Sequence, residues 1–233
     1  MDLINKRVVI TGVSRGIGLA LVHQFLNKGC RVGGMGLRNP NIDNPNFKFY
    51  QTNIRKIDNV QQSFRSYYEQ HKGVDILINN AGLGSFGNIE DYTVDQIAKM
   101  FETNVYGTLY TCKMAVPLMK KAQYGHIFNI SSTAGLEGYP QVSVYCGTKL
   151  AVKAISESMY KELRNFKIKV TCVYPGSTKT DFFNKIESIS SHDYMLMPED
   201  VATMIVQAAE TPDNFHQVNL EVRPLQPRGP IKL

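Results

Sequence analysis

The sequence predicts an α/β fold: one domain over residues 1–233, a three-layer, doubly wound parallel sheet of about seven strands with helices on both faces. Three observations carry that expectation. Short apolar, β-branched runs alternate with longer segments of helical periodicity. Most of those runs lack the polar alternation of a half-exposed strand, as strands covered on both faces do. A glycine-rich stretch, "TGVSRGIG" from Thr11 to Gly18, joins the first run to the first helical segment.

Taken in order, "RVVIT" at 7–11 opens the sheet, and a helix follows near 16–28. Strands are expected at 31–35 and 47–51, a helix near 56–71, and a strand at 74–79, "VDILIN". The long helical segment near 95–121 contains Asn104, Gly107 and Pro117, which predict a bend or break within it. Then come "GHIFNI" at 125–130, a helix near 145–165 and "IKVTCVY" at 168–174. Pro198, Glu199 and Asp200 have the composition of a first helical turn and start a helix near 198–210, before a last strand at 218–222. The stretch 181–197 has weak periodicity and reads either as a substrate lid or as an ordinary surface loop.

A chain of 233 residues, 43% hydrophobic, can bury a sizeable single core. Its net charge of +6 comes from basic residues scattered singly or in short pairs, which speaks against nucleic acid and suits an anionic small molecule. Four separated cysteines, Cys30, Cys112, Cys146 and Cys172, form no ligand-like cluster, so reduced thiols and no metal site are expected. The first residues enter a strand pattern almost at once, and no segment approaches a membrane span. A cytoplasmic protein is therefore expected. The last residues, Ile231, Lys232 and Leu233, resemble a peroxisomal tail only loosely, and the likeness is treated as chance.

In "TGVSRGIG", Gly12, Gly16 and Gly18 permit a tight turn, close approach of backbone to a pyrophosphate and close helix packing. Free amides at the helix start attract anions. Further along stand "NNAG" at Asn79 to Gly82, "TN" at Thr103 and Asn104, and "NISS" at Asn129 to Ser132. "YCGTK" begins at Tyr145, thirteen positions after Ser132, and "PGSTKT" runs from Pro175 to Thr180. In this order the motifs resemble the short-chain dehydrogenase/reductase family from about residue 6 to 222.

The resemblance implies a Rossmann-type fold, a nicotinamide cofactor and hydride transfer to or from a carbonyl or alcohol. It implies catalytic roles for Asn104, Ser132, Tyr145 and Lys149, with Lys149 also holding the nicotinamide ribose and Asn104 fixing a proton-relay water. The chemistry of the side chains agrees. A carbonyl accepting hydride needs a proton, which a phenol can donate if its pKa is brought down. On a helix, Lys149 shares a face with Tyr145, and a close ammonium lowering the phenol by two to three units corresponds to roughly 3–4 kcal/mol. Ser132 can hydrogen-bond the developing oxyanion. Taken singly each has a plainer reading: Ser132 a cap, Tyr145 a packing aromatic, Lys149 solvated surface, Asn104 a helix-interior polar residue.

The cofactor-binding set comprises Gly12, Ser14, Arg15, Gly16, Ile17, Gly18, Arg38, Asn53, Ile54, Asn80, Tyr145, Lys149, Pro175 and Thr180. Enzymes of this fold that prefer NAD carry an acidic residue near the end of the second strand. Here its counterpart is about Gly36, while Arg38 and Arg15 suit a 2′-phosphate, so NADP(H) is expected over NAD(H). By resemblance, Asn53 and Ile54 contact the adenine, Asn80 lies beside the ribose and Thr180 near the nicotinamide amide. Phe182, Phe183, Tyr139 and Met195 are candidates for an apolar substrate pocket, and a small to medium carbonyl compound is expected. The family also implies a homodimer or homotetramer built from the helices near 95–121 and 145–165. The rival reading is a catalytically silent NADP(H)-binding regulator of the same fold. Thr148 stands where the family usually has serine or alanine, and neither it nor Cys146 narrows the substrate.

Overall fold

The computed structural model describes residues 2–180 and 194–226. Its strands are β1 (Arg7–Thr11), β2 (Arg31–Gly36), β3 (Phe47–Gln51), β4 (Ile76–Asn79), β5 (Gly125–Ile130), β6 (Ile168–Pro175) and β7 (Asn219–Val222). They form one open sheet in the order β3-β2-β1-β4-β5-β6-β7, with every pairing parallel. The helices are α1 (Gly16–Asn27), α2 (Ile57–His71), α3 (Val94–Phe101), α4 (Gly107–Ala122), α5 (Ser143–Leu163) and α6 (Pro198–Ala209). The sheet is the three-layer, doubly wound arrangement expected from the uninterrupted apolar runs.

Period-two alternation in β1 explains the two cores. Val8 and Ile10 face one side and pack with Leu21 and Phe25 of α1 and Val201 and Ile205 of α6. Val9 faces the other, with Phe64 and Tyr67 of α2, Ala115 and Met119 of α4 and Leu163 of α5. Each such side chain contributes roughly 1.5–3 kcal/mol relative to exposure. The edge strands β3 and β7 are less covered; in β7, Asn219 and Glu221 are exposed and Leu220 and Val222 half-buried. The strand order turns back between β1 and β4, and in open α/β sheets the crevice beyond the carboxyl ends at that point receives ligands.

The long helix expected near 95–121 is three pieces. α3 begins with a capping box at Thr93 and Gln96, a π turn occupies Glu102–Tyr106, and α4 continues from Gly107. The break thus falls at Asn104 and Gly107, where the Gly107 amide reaches back five residues to the Glu102 carbonyl. Pro117 does not break the helix: α4 runs through it, and the residue sits on the exposed side. Of the stretch 181–197, residues 181–193 lie outside the described residues. At its end Leu196 pairs with Thr178 in a parallel bridge, so this portion closes against the loop after β6.

Candidate active site

The turn between β1 and α1 has the backbone its glycines allow. Gly12 (φ 73°) and Gly16 (φ 56°) occupy the left-handed region. A Cβ on Gly18 would stand 2.2 Å from the Gly12 carbonyl oxygen, so helix and turn touch backbone to backbone. Asn80 clamps the turn from β4, its Nδ2 donating to the carbonyls of Thr11 (3.0 Å) and Gly12 (3.1 Å). The amides of Asn80 and Ala81 donate to Thr11 Oγ1. The Asn80 side chain, expected beside the ribose, is thus committed to holding the glycine turn.

The start of α1 has no side-chain cap from Arg15 and no acidic residue in its first turn, which leaves its leading amides and positive dipole end suited to phosphate. Arg15 is exposed and Ser14 half-buried at this end, while Ile17 leans on the core. Thr180 reaches the turn from the other side, its Cγ2 3.1 Å from where a Gly16 Cβ would be. Pro175 ends β6 and is buried, and Gly176 bonds back to β7 through the Val222 carbonyl. These features make a cradle that fits a dinucleotide pyrophosphate.

Beyond β2, Arg38 is exposed just past Gly36, and the sequence from Leu37 to Ile42 carries no carboxylate. The adenine expectations fare differently. The Asn53 amide oxygen already accepts the Arg55 amide (3.2 Å), and Ile54 is buried in the core. Its side chain fills the notch at Gly107, where a Cβ would meet Ile54 Cδ1 at 2.7 Å. The Ile54 side chain thus spaces the loop after β3 from α4, and it is core rather than a free face for adenine.

Asn104, Ser132, Tyr145 and Lys149 come from three elements, the π turn, the end of β5 and the first turns of α5, and they converge. Ser132 stands near enough to the Tyr145 phenol to draw its pKa down. Ser132 Oγ also accepts the Ala134 amide (3.2 Å), so it is a cap as well as a neighbour of the phenol. Lys149 is buried, and its ammonium donates to the Ile130 carbonyl (2.8 Å), 5.6 Å from the Tyr145 ring centre. A Cβ on Gly82 would lie 3.6 Å from both Asn104 Oδ1 and Lys149 Nζ, so amide and ammonium flank one point.

The electrostatics differ from the expectation. Burial pushes the Tyr145 phenol up to about 12, with Ser132 pulling it partly back. Burial lowers the Lys149 ammonium from 10.5 to about 8. The ammonium is bonded to the Ile130 carbonyl at the end of β5, and desolvation is the largest influence on both groups.

A match to the short chain dehydrogenase family covers residues 6–190. The chain belongs to the short-chain dehydrogenase/reductase family. An uncharacterized oxidoreductase of Staphylococcus aureus (strain MRSA252) is 31% identical over 230 residues, covering 96% of this chain and 99% of its own. An oxidoreductase of Botryotinia fuckeliana (strain B05.10) is 34% identical over 180 residues, 74% of this chain and 66% of that one. Among solved structures, a serine dehydrogenase complexed with NADP+ superposes with a TM-score of 0.86 at 25% identity, covering 97% of this chain and 98% of the other. ElxO with NADP bound gives 0.84 at 28% identity, covering 94% and 98%. A 3-ketoacyl-(acyl-carrier-protein) reductase from Brucella melitensis complexed with NADH, 22% identical with a TM-score of 0.88 and covering 97% and 100%, shares the fold.

Two residues at this site escaped the motif reading. Thr11 ties the glycine turn to β4, and Thr148 bonds both Asn104 and Tyr145. Each is a hydroxyl inside a quoted motif, and spacing alone did not distinguish it from filler. Of the pocket candidates, Met195 is buried and Tyr139 exposed beside Glu137. Phe182 and Phe183 lie outside the described residues. Among the described residues no three His, Cys, Asp or Glu side chains gather as a metal site, and no helix is long and apolar enough to cross a membrane.

Proposed function

We propose that the protein is an NADP(H)-dependent oxidoreductase that interconverts a carbonyl and a secondary alcohol, with Tyr145 as general acid and base. The observation that carries the reading is the convergence of Tyr145, Ser132 and Lys149 at the carboxyl end of β5, beside the glycine turn. The bound nicotinamide supplies or accepts the hydride. The amides at the start of α1 and the turn Gly12 to Gly18, with Ser14 and Ile17, hold its pyrophosphate, and Pro175 and Thr180 border it from the loop after β6.

The chain's own residues do the rest. At neutral pH the Tyr145 phenol keeps its proton and can deliver it to a carbonyl oxygen, with Ser132 donating to the same oxygen as charge develops there. The Lys149 ammonium supplies positive charge behind the phenol and steadies the phenolate that remains. Asn104 stands beside it across Gly82.

Arg15 and Arg38, with no carboxylate in the sequence from Leu37 to Ile42, favour a 2′-phosphate and so NADP(H). A small or medium carbonyl compound, a cytoplasmic setting and a homodimer or homotetramer complete the reading. Exposed Phe101, Tyr106, Leu109 and Leu150 on the π turn, α3, α4 and α5 support self-association. Light scattering that finds a monomer removes that part.

The test is NADPH and NADH oxidation over a panel of aldehydes, ketones and diketones, with Tyr145→Phe alongside. The variant should retain NADPH binding and lose about 10²- to 10⁴-fold in turnover. Undiminished turnover in Tyr145→Phe overturns the mechanism, and equal or better efficiency with NADH overturns the cofactor preference. Tight NADPH binding without turnover across the panel favours the silent regulator.

A further inference from the structure

We infer that Thr148 is a positioning residue for this reaction: its buried hydroxyl fastens the Asn104 amide of the π turn to the turn of α5 that carries Tyr145 and Lys149. The inference rests on the proposed reading of Tyr145 and Lys149.

Asn104 is 1% exposed and Thr148 fully buried, so their polar atoms must find partners inside the protein. Asn104 Nδ2 donates to the Leu83 carbonyl (2.8 Å) and to Thr148 Oγ1 (2.9 Å), and its Oδ1 accepts the Leu83 amide (2.7 Å). The Thr148 hydroxyl has one proton, which goes to the Tyr145 carbonyl (2.8 Å). Toward Asn104 it can therefore only accept, and the amide nitrogen must face it. That fixes the amide oxygen on the opposite side, at Leu83 and Gly82, where the Lys149 ammonium stands at the same 3.6 Å from the Gly82 Cβ position. A reversed amide would set an N–H against the Leu83 amide and put a donor on the side of Gly82 where the ammonium also lies.

The two anchors of Asn104 have different jobs. Leu83 joins the amide to the loop after β4, whereas Thr148 joins it to α5, between the two residues that carry the proton. The extra residue of the π turn makes that second anchor necessary, because it takes Asn104 out of regular α-helical register with α3 and α4. Serine can replace threonine here, since only the hydroxyl makes these bonds. Valine keeps the shape and leaves the Asn104 nitrogen and the Tyr145 carbonyl each without this partner.

The experiment compares wild type, Thr148→Val, Thr148→Ser, Asn104→Ala and the Asn104→Ala/Thr148→Val double variant, with NADPH and 2,3-butanedione as the probe. Thr148→Val should lower kcat about tenfold or more with KM for NADPH within about twofold, and move the alkaline limb of the kcat profile to lower pH. Thr148→Ser should recover most of kcat. The double variant should be no slower than Asn104→Ala alone, because both changes remove one device. Wild-type kcat and pH profile in Thr148→Val, equal loss in the serine and valine variants, or multiplying losses in the double variant would each overturn the inference. Should Thr148→Val not fold, Thr148→Ala takes its place against the serine variant.

Unfolding free energies of the same proteins are readable whether or not the probe turns over. Zero coupling between positions 104 and 148 overturns the link, and coupling in stability without coupling in kcat overturns the positioning role. Full activity in Tyr145→Phe, by contrast, sinks the reading of the reaction while leaving the stability cycle intact.

Discussion

Replacing Lys149 with methionine should make the protein more stable and nearly inactive. The ammonium is 5% exposed and makes one hydrogen bond, to the Ile130 carbonyl. Burial lowers its pKa from 10.5 to about 8. At about 1.4 kcal/mol per unit, keeping that ammonium charged at neutral pH costs the fold about 3 kcal/mol. Methionine has a similar length and no charge, and it gives up a hydrogen bond contributing about 1 kcal/mol. The net gain is about 2 kcal/mol, or a rise of about 4–8 °C in Tm for a chain of this size. The pH dependence provides the sharper signature. The folded group binds its proton more weakly than the unfolded one, so wild-type stability rises with pH between about 8 and 10.5 and gains nothing from this group below 8. Lys149→Met lacks that rise, so its advantage should shrink steadily across the window. Urea melts of both proteins from pH 7 to 10 measure the difference directly and cancel the buried tyrosines common to both. A methionine variant less stable than wild type at pH 7, or an advantage that does not narrow by pH 10, would overturn the assignment of a strained, buried ammonium.

Three further outcomes follow from the same geometry. Gly18→Ala drives a Cβ into the Gly12 carbonyl and Asn80 Nδ2, and should cost about 1–3 kcal/mol and weaken NADPH binding at least tenfold by fluorescence titration. The control is Gly147→Ala, whose Cβ meets only Phe101 at 4.0 Å and which should gain about 0.5–1 kcal/mol of helix propensity. Carbonyl reduction should be flat with pH up to about 8 and fall above it as Lys149 loses its charge, while alcohol oxidation climbs with pH because it needs the Tyr145 phenolate. Initial rates in both directions from pH 6 to 10 check this. His126 is buried against Phe128, bonded to Thr171, with no partner for Nδ1 among the described residues, and burial, Lys169 and His216 hold its pKa well below the ordinary value. It stays neutral in the fold while the unfolded chain takes up its proton near pH 6.5, so stability falls as pH drops below that point. Thermal melts from pH 7 to 5 should show a shallower decline in His126→Gln than in wild type.

Much of the fold could be read from the chain because both faces of the sheet are covered, so β1, β4, β5 and β6 are buried at nearly every position and lack regular polar alternation. The short final strand was located within a residue although it is an exposed edge, since Gly176 and Cys172 pair with its backbone and side-chain pattern matters less there. The helix break was foreseen at Asn104 and Gly107 but also at Pro117, which α4 runs through, and its form was not foreseen. A π turn depends on which carbonyl each amide finds; here Gly107 finds Glu102, and Ile54 fills the space a side chain at Gly107 would need. For the same reason the sequence could not tell that Ile54 would be core and that Asn80 would be a clamp: both statements concern what lies across the sheet.

The motifs located the candidate proton donor but could not weigh the forces on it. Four-residue spacing puts Tyr145 and Lys149 on one helical face, and from there attraction between ammonium and phenolate is the natural inference. Whether attraction wins depends on how deeply each group is buried and where the ammonium points, and neither is a property of spacing. Here β5 ends beneath α5, the Ile130 carbonyl takes the ammonium, and desolvation decides both pKa values. The consequence is a phenol that holds its proton firmly and a lysine near the edge of its charged range. A phenol that holds its proton at neutral pH can serve as the donor in carbonyl reduction, and it must first lose that proton to serve as the base in alcohol oxidation.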